Sequence, residues 1–297
     1  MRDTCTCFPE RKIMEERIGI IGGSGLYSLE GVDVEKAIEP DTPWGRPSSP
    51  VTLAALGGVG LAFLARHGQG HVLTPSEVPY AANIYALKSL GVRKILSISA
   101  VGSLREDYAP RDFVVPDQIF DRTKGIRGST FFGGGVVGHV SFAHPFCESL
   151  RGILADAAAL AGAKVHRTGT YVCMEGPAFS TKAESLAYRS MGMDIIGMTA
   201  IPEAKLAREA GVCYATLAMV TDYDVWREAE EVSLEMVIAN MNHNIGLARR
   251  TLAVAVGLAG RAACECECSR AGRDAVMTAP DARNPQRASD LSVILGE

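Results

Sequence analysis

No stretch of the 297-residue chain approaches the roughly 20 continuous apolar residues that a bilayer span needs. No membrane association is therefore expected. A basic footprint is also missing. The formal net charge is −4 and the pI about 5.9, and the basic residues are scattered apart from a loose arginine set near the C-terminus. That balance argues against nucleic acid as a partner. Residues 1–17 are polar and of mixed charge, without the apolar centre of a secretory signal, so a cytoplasmic location is expected. Cys-x-x-Cys, the usual zinc spacing, does not occur. The eight cysteines fall otherwise. Cys147, Cys173 and Cys213 lie in apolar segments and read as buried thiols. Cys5 and Cys7 form one Cys-x-Cys, and Cys264, Cys266 and Cys268 a doubled one. A soft-metal site and a redox pair are the sharp readings of these repeats. Disulfides between such close neighbours are strained, so the expectation is tail thiols without catalytic duty, with a disulfide as runner-up.

No linker of Pro, Ser or charge divides the chain, and no internal repeat is present. With 47% hydrophobic and 22% charged residues, it has the composition and length for a substantial core. Short apolar runs alternate with helical patterns. Strands are expected at Arg17 to Gly23, Val51 to Leu56, Leu61 to Ala65, Val92 to Ala100, Phe113 to Val115, Arg167 to Cys173, Asp194 to Gly197 and Gly211 to Val220. Helices are expected at Ala81 to Leu90, Phe146 to Ala161, Thr181 to Met191, Ile201 to Ala210 and about Ser233 to Ala263. This alternation predicts an α/β fold: a single three-layer domain with a central mixed, largely parallel sheet. Residues 1–16 read as an N-terminal extension, 17–268 as the domain, and 269–297 as a poorly ordered tail rich in Arg, Asp, Ala and Pro.

The most informative feature is the acid pair of Thr221-Asp222-Tyr223-Asp224, which follows an apolar strand. Carboxyl groups delivered to the rim of an α/β sheet are well placed for acid–base chemistry. A helix N-cap is the bland alternative. Three other clusters also follow strands. Gly22-Gly23-Ser24-Gly25 can form a backbone nest for an anion, although a dinucleotide-type glycine turn is its rival. Arg66-His67-Gly68 adds a planar guanidinium fork beside an imidazole. Ser99-Ala100-Val101-Gly102-Ser103 supplies hydroxyl and backbone donors. Together they favour one anion pocket over three unrelated turns.

These segments resemble the S-methyl-5′-thioadenosine phosphorylases, within the wider trimeric purine nucleoside phosphorylase family. The resemblance also rests on Pro79-Tyr80-Ala81-Ala82-Asn83-Ile84, Leu104-Arg105-Glu106, Asp117-Gln118, Asp121-Arg122-Thr123, Glu175-Gly176-Pro177-Ala178-Phe179-Ser180, Met198-Thr199 and Ile201-Pro202-Glu203. It runs in order from about Ile18 to Gly257. It implies a nucleoside phosphorylase-like fold and phosphorolysis of S-methyl-5′-thioadenosine to adenine and 5-methylthioribose 1-phosphate, in purine and methionine salvage. Carried over by position, Ser24, Arg66, His67, Ser99, Ala100 and Thr199 hold phosphate. Met198 approaches the ribose, Phe179 lies against the purine and Ser180 sits near its edge. Asp222 bonds purine N7 and Asp224 the exocyclic amine. Leu234 and Val237 line an apolar pocket for the methylthio group; from spacing alone, their i, i+3 relation reads as ordinary core packing. The resemblance further implies a homotrimer, with His139 reaching into a neighbour's site; pairing of trimers into hexamers stays open.

The chemistry needs anion donors on one face of the sugar and a proton on the other. Inorganic phosphate is a co-substrate, and neither a metal nor an organic cofactor is expected. Burial and a second carboxylate both raise an acid's pKa, which lets one member of the pair keep its proton. The 6-oxopurine members place Asn at position 222 and Glu at position 180, so Asp222 and Ser180 favour adenine. Alternatives are adenosine, 6-oxopurine nucleosides or methylthioinosine as substrate, hydrolysis of the same nucleosides, and a non-enzymatic nucleotide-binding module.

Overall fold

Apolar runs of six to twelve residues, most of them stopped by glycines or small residues, build the centre of the molecule. The computed structural model describes residues 16–23, 29–227, 234–263 and 266–296. Its strands are β1 (Arg17–Gly22), β2 (Asp33–Ile38), β3 (Val51–Leu56), β4 (Val59–Ala65), β5 (Val92–Ser103), β6 (Phe113–Val114), β7 (Gln118–Arg122), β8 (Val165–His166), β9 (Thr170–Met174), β10 (Ile195–Gly197) and β11 (Cys213–Asp222). Among the described residues they form one mixed, mostly parallel sheet. The order β2-β3-β4-β1-β5-β10-β9-β7 runs across it, and a branch from β5 goes through β11 and β6 to β8. β1, β4, β5 and β11 run parallel to their neighbours in that group, so their carboxyl ends share one edge.

The helices are α1 (Tyr80–Ser89), α2 (Glu148–Leu160), α3 (Lys182–Ser190), α4 (Ala200–Glu209), α5 (Leu234–Arg261) and α6 (Pro285–Leu295). Strand alternation divides the core between two faces. On one face Ile18, Ile20, Phe63, Leu96 and Leu217 pack with Leu150 and Leu154 of α2 and with Leu252 and Val256 of α5. On the other, Ile21, Leu64, Ile95 and Tyr214 pack with Ile84 and Leu87 of α1, Leu206 of α4, and Leu291 and Ile294 of α6. The expected α/β class and three layers are thus present. No helix among the described residues is long and apolar enough to cross a membrane.

Three expectations need correction. β2 was not anticipated: its Asp, Glu and Lys side chains leave it exposed at the sheet edge, and pairing with β3 alone makes it a strand. β7 was missed for a similar reason, since its Gln-Ile-Phe-Asp-Arg sequence alternates weakly. The 269–297 tail is not poorly ordered over its described part. α6 starts at Pro285, is capped by Asn284, whose Oδ1 accepts from the Arg287 N–H (3.0 Å), and buries Leu291, Ile294 and Leu295. Just before it, the tail crosses the turn after α4. There a Cβ on Gly272 would stand 1.7 Å from the Glu209 carbonyl oxygen, so only glycine fits. Of the N-terminal extension, all but residue 16 lies outside the described residues.

Leu291 is fully buried, and truncating it leaves a cavity under α1. Leu291→Ala should lower unfolding free energy by about 2–5 kcal/mol, read as an earlier urea midpoint. An unchanged midpoint would mean the tail contributes nothing to the core.

Candidate active site

β5 is the strand on which the candidate residues converge. In register, Ile21 lies opposite Ser97, Ala218 opposite Ser99, and Asp222 opposite Gly102. The Arg66 N–H continues the β1–β4 ladder by donating to Gly22 O at 3.1 Å. Gly22, Gly23, Arg66, Ser99, Ala100 and Asp222 therefore emerge at one sheet edge, where open α/β folds place ligands. Ser99 and Gly102 are three residues apart on β5, about 10 Å of strand. That is enough to hold an anion and a base on either side of one sugar.

Asp222 is buried at the end of β11. Its Oδ2 accepts from the Thr221 hydroxyl (2.7 Å) and its Oδ1 from the Asp224 N–H (2.8 Å). Asp224 sits in the left-handed region at φ 52°, a conformation that Asp tolerates better than most residues. Its Oδ2 accepts from the buried Ser185 hydroxyl of α3. Burial raises the Asp222 carboxyl above its ordinary range, against the Thr221 and Asp224 donors that pull it down. Burial also raises Asp224; the Ser185 hydroxyl opposes this and the Asp222 charge adds to it. The pair is no helix cap: Tyr223, not an aspartate, precedes the short 3₁₀ turn Asp224–Trp226. A Cβ at Gly102 would stand 2.9 Å from Asp222 Oδ1 and 3.1 Å from Ile196 Cγ2, so the acid pair needs glycine beside it.

Two asparagines that carry no sequence signal hold this strand end. From α5, Asn240 donates to Thr221 O (2.7 Å) and Asn244 to Val220 O (3.0 Å). Val237 is half-buried one turn before Asn240 and so shares the helix face turned toward Asp222. Leu234 is the first residue of α5, and its side chain lies outside the described set, as does Ser24.

On the anion side, Arg66 is buried and bound bidentately to Glu203 of α4: Nε to Oε2 at 2.7 Å and Nη2 to Oε1 at 2.9 Å. Nη2 also donates to Ser97 Oγ (2.6 Å) and Nη1 to Ile98 O (3.0 Å). Burial would lower the Arg66 pKa, but the Glu203 carboxylate more than offsets it and keeps the charge fixed. Of the five guanidinium N–H groups, four have these protein acceptors, and one on Nη1 remains for a ligand. His67 is half-buried, with Nδ1 2.9 Å from Leu73 O. A carbonyl only accepts, so Nδ1 carries the proton. Burial, then the Arg66 charge, pull His67 down to about 4. At neutral pH its Nε2 is thus a bare acceptor.

The buried Ser99 hydroxyl lies 3.4 Å from Thr199 Oγ1 and 3.3 Å from the Tyr171 hydroxyl. Burial pushes Tyr171 up to about 12, so it keeps its proton and can orient Ser99. Thr199 opens α4 without capping it through its side chain, which leaves that hydroxyl for another partner. Met198 and the 175–180 loop are fixed by Arg127, which sequence reasoning did not single out. Arg127 donates to Glu175 Oε1 (2.8 Å), Met198 O (2.6 Å) and Ile201 O (2.8 Å). Burial pushes Glu175 up, but the Ser76 hydroxyl, the Lys124 N–H and Arg127 hold it below its usual range. Ser180 is buried at the end of that loop, whereas the Phe179 ring is 54% exposed. His139 is exposed on a loop tied to the tail by its N–H to Ala275 O (2.9 Å). Two surface concavities, of about 260 and 380 Å³, are lined by Arg105 and Arg189 and by Gln118 and Arg151. Neither includes the acids or Arg66.

The sequence matches the model of the phosphorylase superfamily over residues 17–256. It is 50% identical over 284 residues to an S-methyl-5′-thioadenosine phosphorylase of Geobacter sulfurreducens, covering 95% of this chain and 99% of that one. It is 59% identical over 240 residues to the enzyme of that name from Chloroflexus aurantiacus, covering 80% and 83%. Among solved structures, a methylthioadenosine phosphorylase sourced from an Antarctic soil metagenomic library superposes with TM-score 0.91 at 49% identity, covering 95% and 99%. Methylthioadenosine phosphorylase from Schistosoma mansoni in complex with adenine superposes with TM-score 0.83 at 38% identity, covering 88% and 99%.

Removing one member of a buried ion pair leaves the other uncompensated. Glu203→Ala should therefore cost about 3–5 kcal/mol of stability in chemical denaturation. A loss below about 1 kcal/mol would mean that Arg66 finds water or another anion instead.

Proposed function

The chain belongs to the phosphorylase superfamily and, within it, to the S-methyl-5′-thioadenosine phosphorylases, and we propose that it splits S-methyl-5′-thioadenosine with inorganic phosphate. The products are adenine and 5-methylthioribose 1-phosphate. The observation that carries this reading is the pairing, on one sheet edge, of two buried carboxyls, both raised above their ordinary range, with a hydroxyl, guanidinium and imidazole cluster about 10 Å away.

Phosphate is held by Ser24, the remaining Arg66 N–H, His67, Ser99, the Ala100 backbone and Thr199. The bare Nε2 of His67 accepts a hydrogen bond from a P–OH group, so the bound species is a hydrogen phosphate. Phe179 covers the purine, Met198 borders the ribose, and Leu234 with Val237 receives the methylthio group. Protonated Asp222 donates to N7 as the glycosidic bond lengthens, and Asp224 accepts from the 6-amino group. Phosphate stabilises the cationic sugar from the opposite face and then bonds to C1′. The reaction uses no metal and no organic cofactor. Adenine is favoured over a 6-oxopurine because paired carboxyls accept from an amine, and an unmade buried bond costs ~1–3 kcal/mol. Adenosine is a second substrate on this reading. It is supported by solved Schistosoma mansoni adenosine/methylthioadenosine phosphorylases at 40% identity, and on this reading His139 meets a 5′-hydroxyl. The working unit is a homotrimer in the cytoplasm, in which the exposed Phe179 and His139 are covered by a neighbour.

Adenine release from S-methyl-5′-thioadenosine should require phosphate, and release into water alone would make the chain a hydrolase. Asp222→Ala should lower kcat/KM by about 10²–10⁴-fold while light scattering still reports a trimer. The raised carboxyl pKa fixes the sign of the pH profile. Activity is full while the proton is held and falls as pH rises through the folded-state pKa. Asp222→Asn should flatten that limb, and a variant profile identical to wild type would remove the proton-donor role.

A further inference from the structure

Four cysteines that are far apart in sequence meet at one point. Cys147 is the N-cap of α2, Cys213 opens β11, and Cys266 and Cys268 follow the end of α5. Their sulfurs all lie within 4.8 Å of one another. Cys266 Sγ is 3.7 Å from Cys147 Sγ and 3.3 Å from Cys213 Sγ. Cys147, Cys213 and Cys268 are buried. Cys147, Cys173 and Cys213 are buried free thiols as expected, but Cys147 and Cys213 also meet the tail thiols Cys266 and Cys268, a grouping that spacing does not suggest; Cys5, Cys7 and Cys264 lie outside the described residues.

We propose that Cys147, Cys213, Cys266 and Cys268 form a structural zinc site. The spacing is the first argument. Four sulfurs placed about 2.3 Å from a tetrahedral ion stand about 3.8 Å apart, close to what is seen. A disulfide needs about 2.05 Å, and none of the five described cysteines is in one. The donor set is the second: four thiolates in tetrahedral array select zinc or iron over hard cations. Charge is the third. A zinc ion with four thiolates carries two excess negative charges. Arg208 Nη1 lies 3.6 Å from Cys268 Sγ, and the amino end of α2 presents its partial positive charge at Cys147. Access is the fourth: Cys266 is only half-buried, which leaves an entry path.

The ion is structural and not catalytic. β11 runs from Cys213 to Asp222, so the cluster and the acid pair lie at opposite ends of one strand, about 30 Å apart. With all four positions filled by protein, no site is open for substrate. The bound ion fastens the segment after α5 to β11 and α2. From there the tail continues to α6 and to the loop that carries His139.

The test uses the full chain, purified under reducing conditions without chelator and analysed for metals by mass spectrometry. About one zinc per chain is expected. Cobalt substitution should give the visible ligand-field bands of a tetrahedral tetrathiolate. Cys266→Ser/Cys268→Ser should lose the ion and about 10 °C of Tm while retaining phosphorolysis at room temperature, and Cys173→Ser should keep the ion. Less than about 0.1 zinc after reconstitution, iron in its place, or an intact mass showing disulfides among the four would each overturn the assignment. Metal content is read independently of turnover, so an inactive chain with full zinc would count against the proposed reaction and not against this site.

Discussion

The buried ion pair between Arg66 and Glu203 is the constraint around which the edge carrying the candidate site is arranged. Glu203 Oε1 accepts from Arg66, from Ser97 (2.9 Å) and from the Tyr214 hydroxyl (2.8 Å). One carboxylate thus joins the end of β4, the middle of β5, the start of β11 and the helix α4. A charge with so many partners cannot be moved without unpairing several others. The result is a guanidinium held in one orientation, paired with Glu203 and joined to Ser97 and Ile98 on the strand that carries Ser99. Most of its hydrogen-bonding capacity is spent on the protein and its charge is largely offset by Glu203, so what it keeps for an anion is one oriented N–H. Preorganisation of this sort is what stabilises developing charge without a reorganisation cost at the moment of reaction.

The acid pair depends on the same framework from the other side. Asp222 is held up by Thr221 and the Asp224 N–H, and Asp224 by Ser185. Asn240 and Asn244 fix the backbone that carries them. No arginine or lysine neutralises either carboxyl among its described hydrogen-bond partners, whereas Glu203 and Glu175 each have one. That contrast separates two carboxyls that burial raises above their ordinary range from two that are each paired with a buried guanidinium. It follows from placement and not from residue type.

Much of this was legible in the sequence because it rests on local signals. The apolar runs of β1, β3, β4, β5 and β11, and glycine punctuation such as Gly57-Gly58 and Gly91, report burial and turning directly. Charged β2 was illegible because edge strands are made by their partner. The tail misled because its Arg, Asp and Pro content suggested solvent, while the few apolar residues that dock, Leu291, Ile294 and Leu295, are spaced too sparsely to stand out. At the site, residues at strand ends were readable: Arg66 just past β4 and Asp222 as the last residue of β11, whereas Ser99, expected after a strand, lies within β5, which runs on to Ser103. Their supports were not. Arg127 sits in a glycine-rich stretch, and Asn240 and Asn244 in a long helix, where only tertiary contact gives them meaning. The cysteines show the same limit: Cys147 and Cys266 are 119 residues apart, and no spacing rule relates them.

The anchoring of the 133–139 loop by the tail has a consequence for how the molecule is made. Met277 and Thr278 bond Val137, Ala275 bonds His139, and Gly135 bonds Asn284. The loop therefore takes its shape from residues made more than a hundred positions later, at 275–284. On the ribosome, the sheet through β11 can pair while this loop still lacks its template. Emergence of residues 275–284, and not closure of the central sheet, is the event that gives the loop its final form.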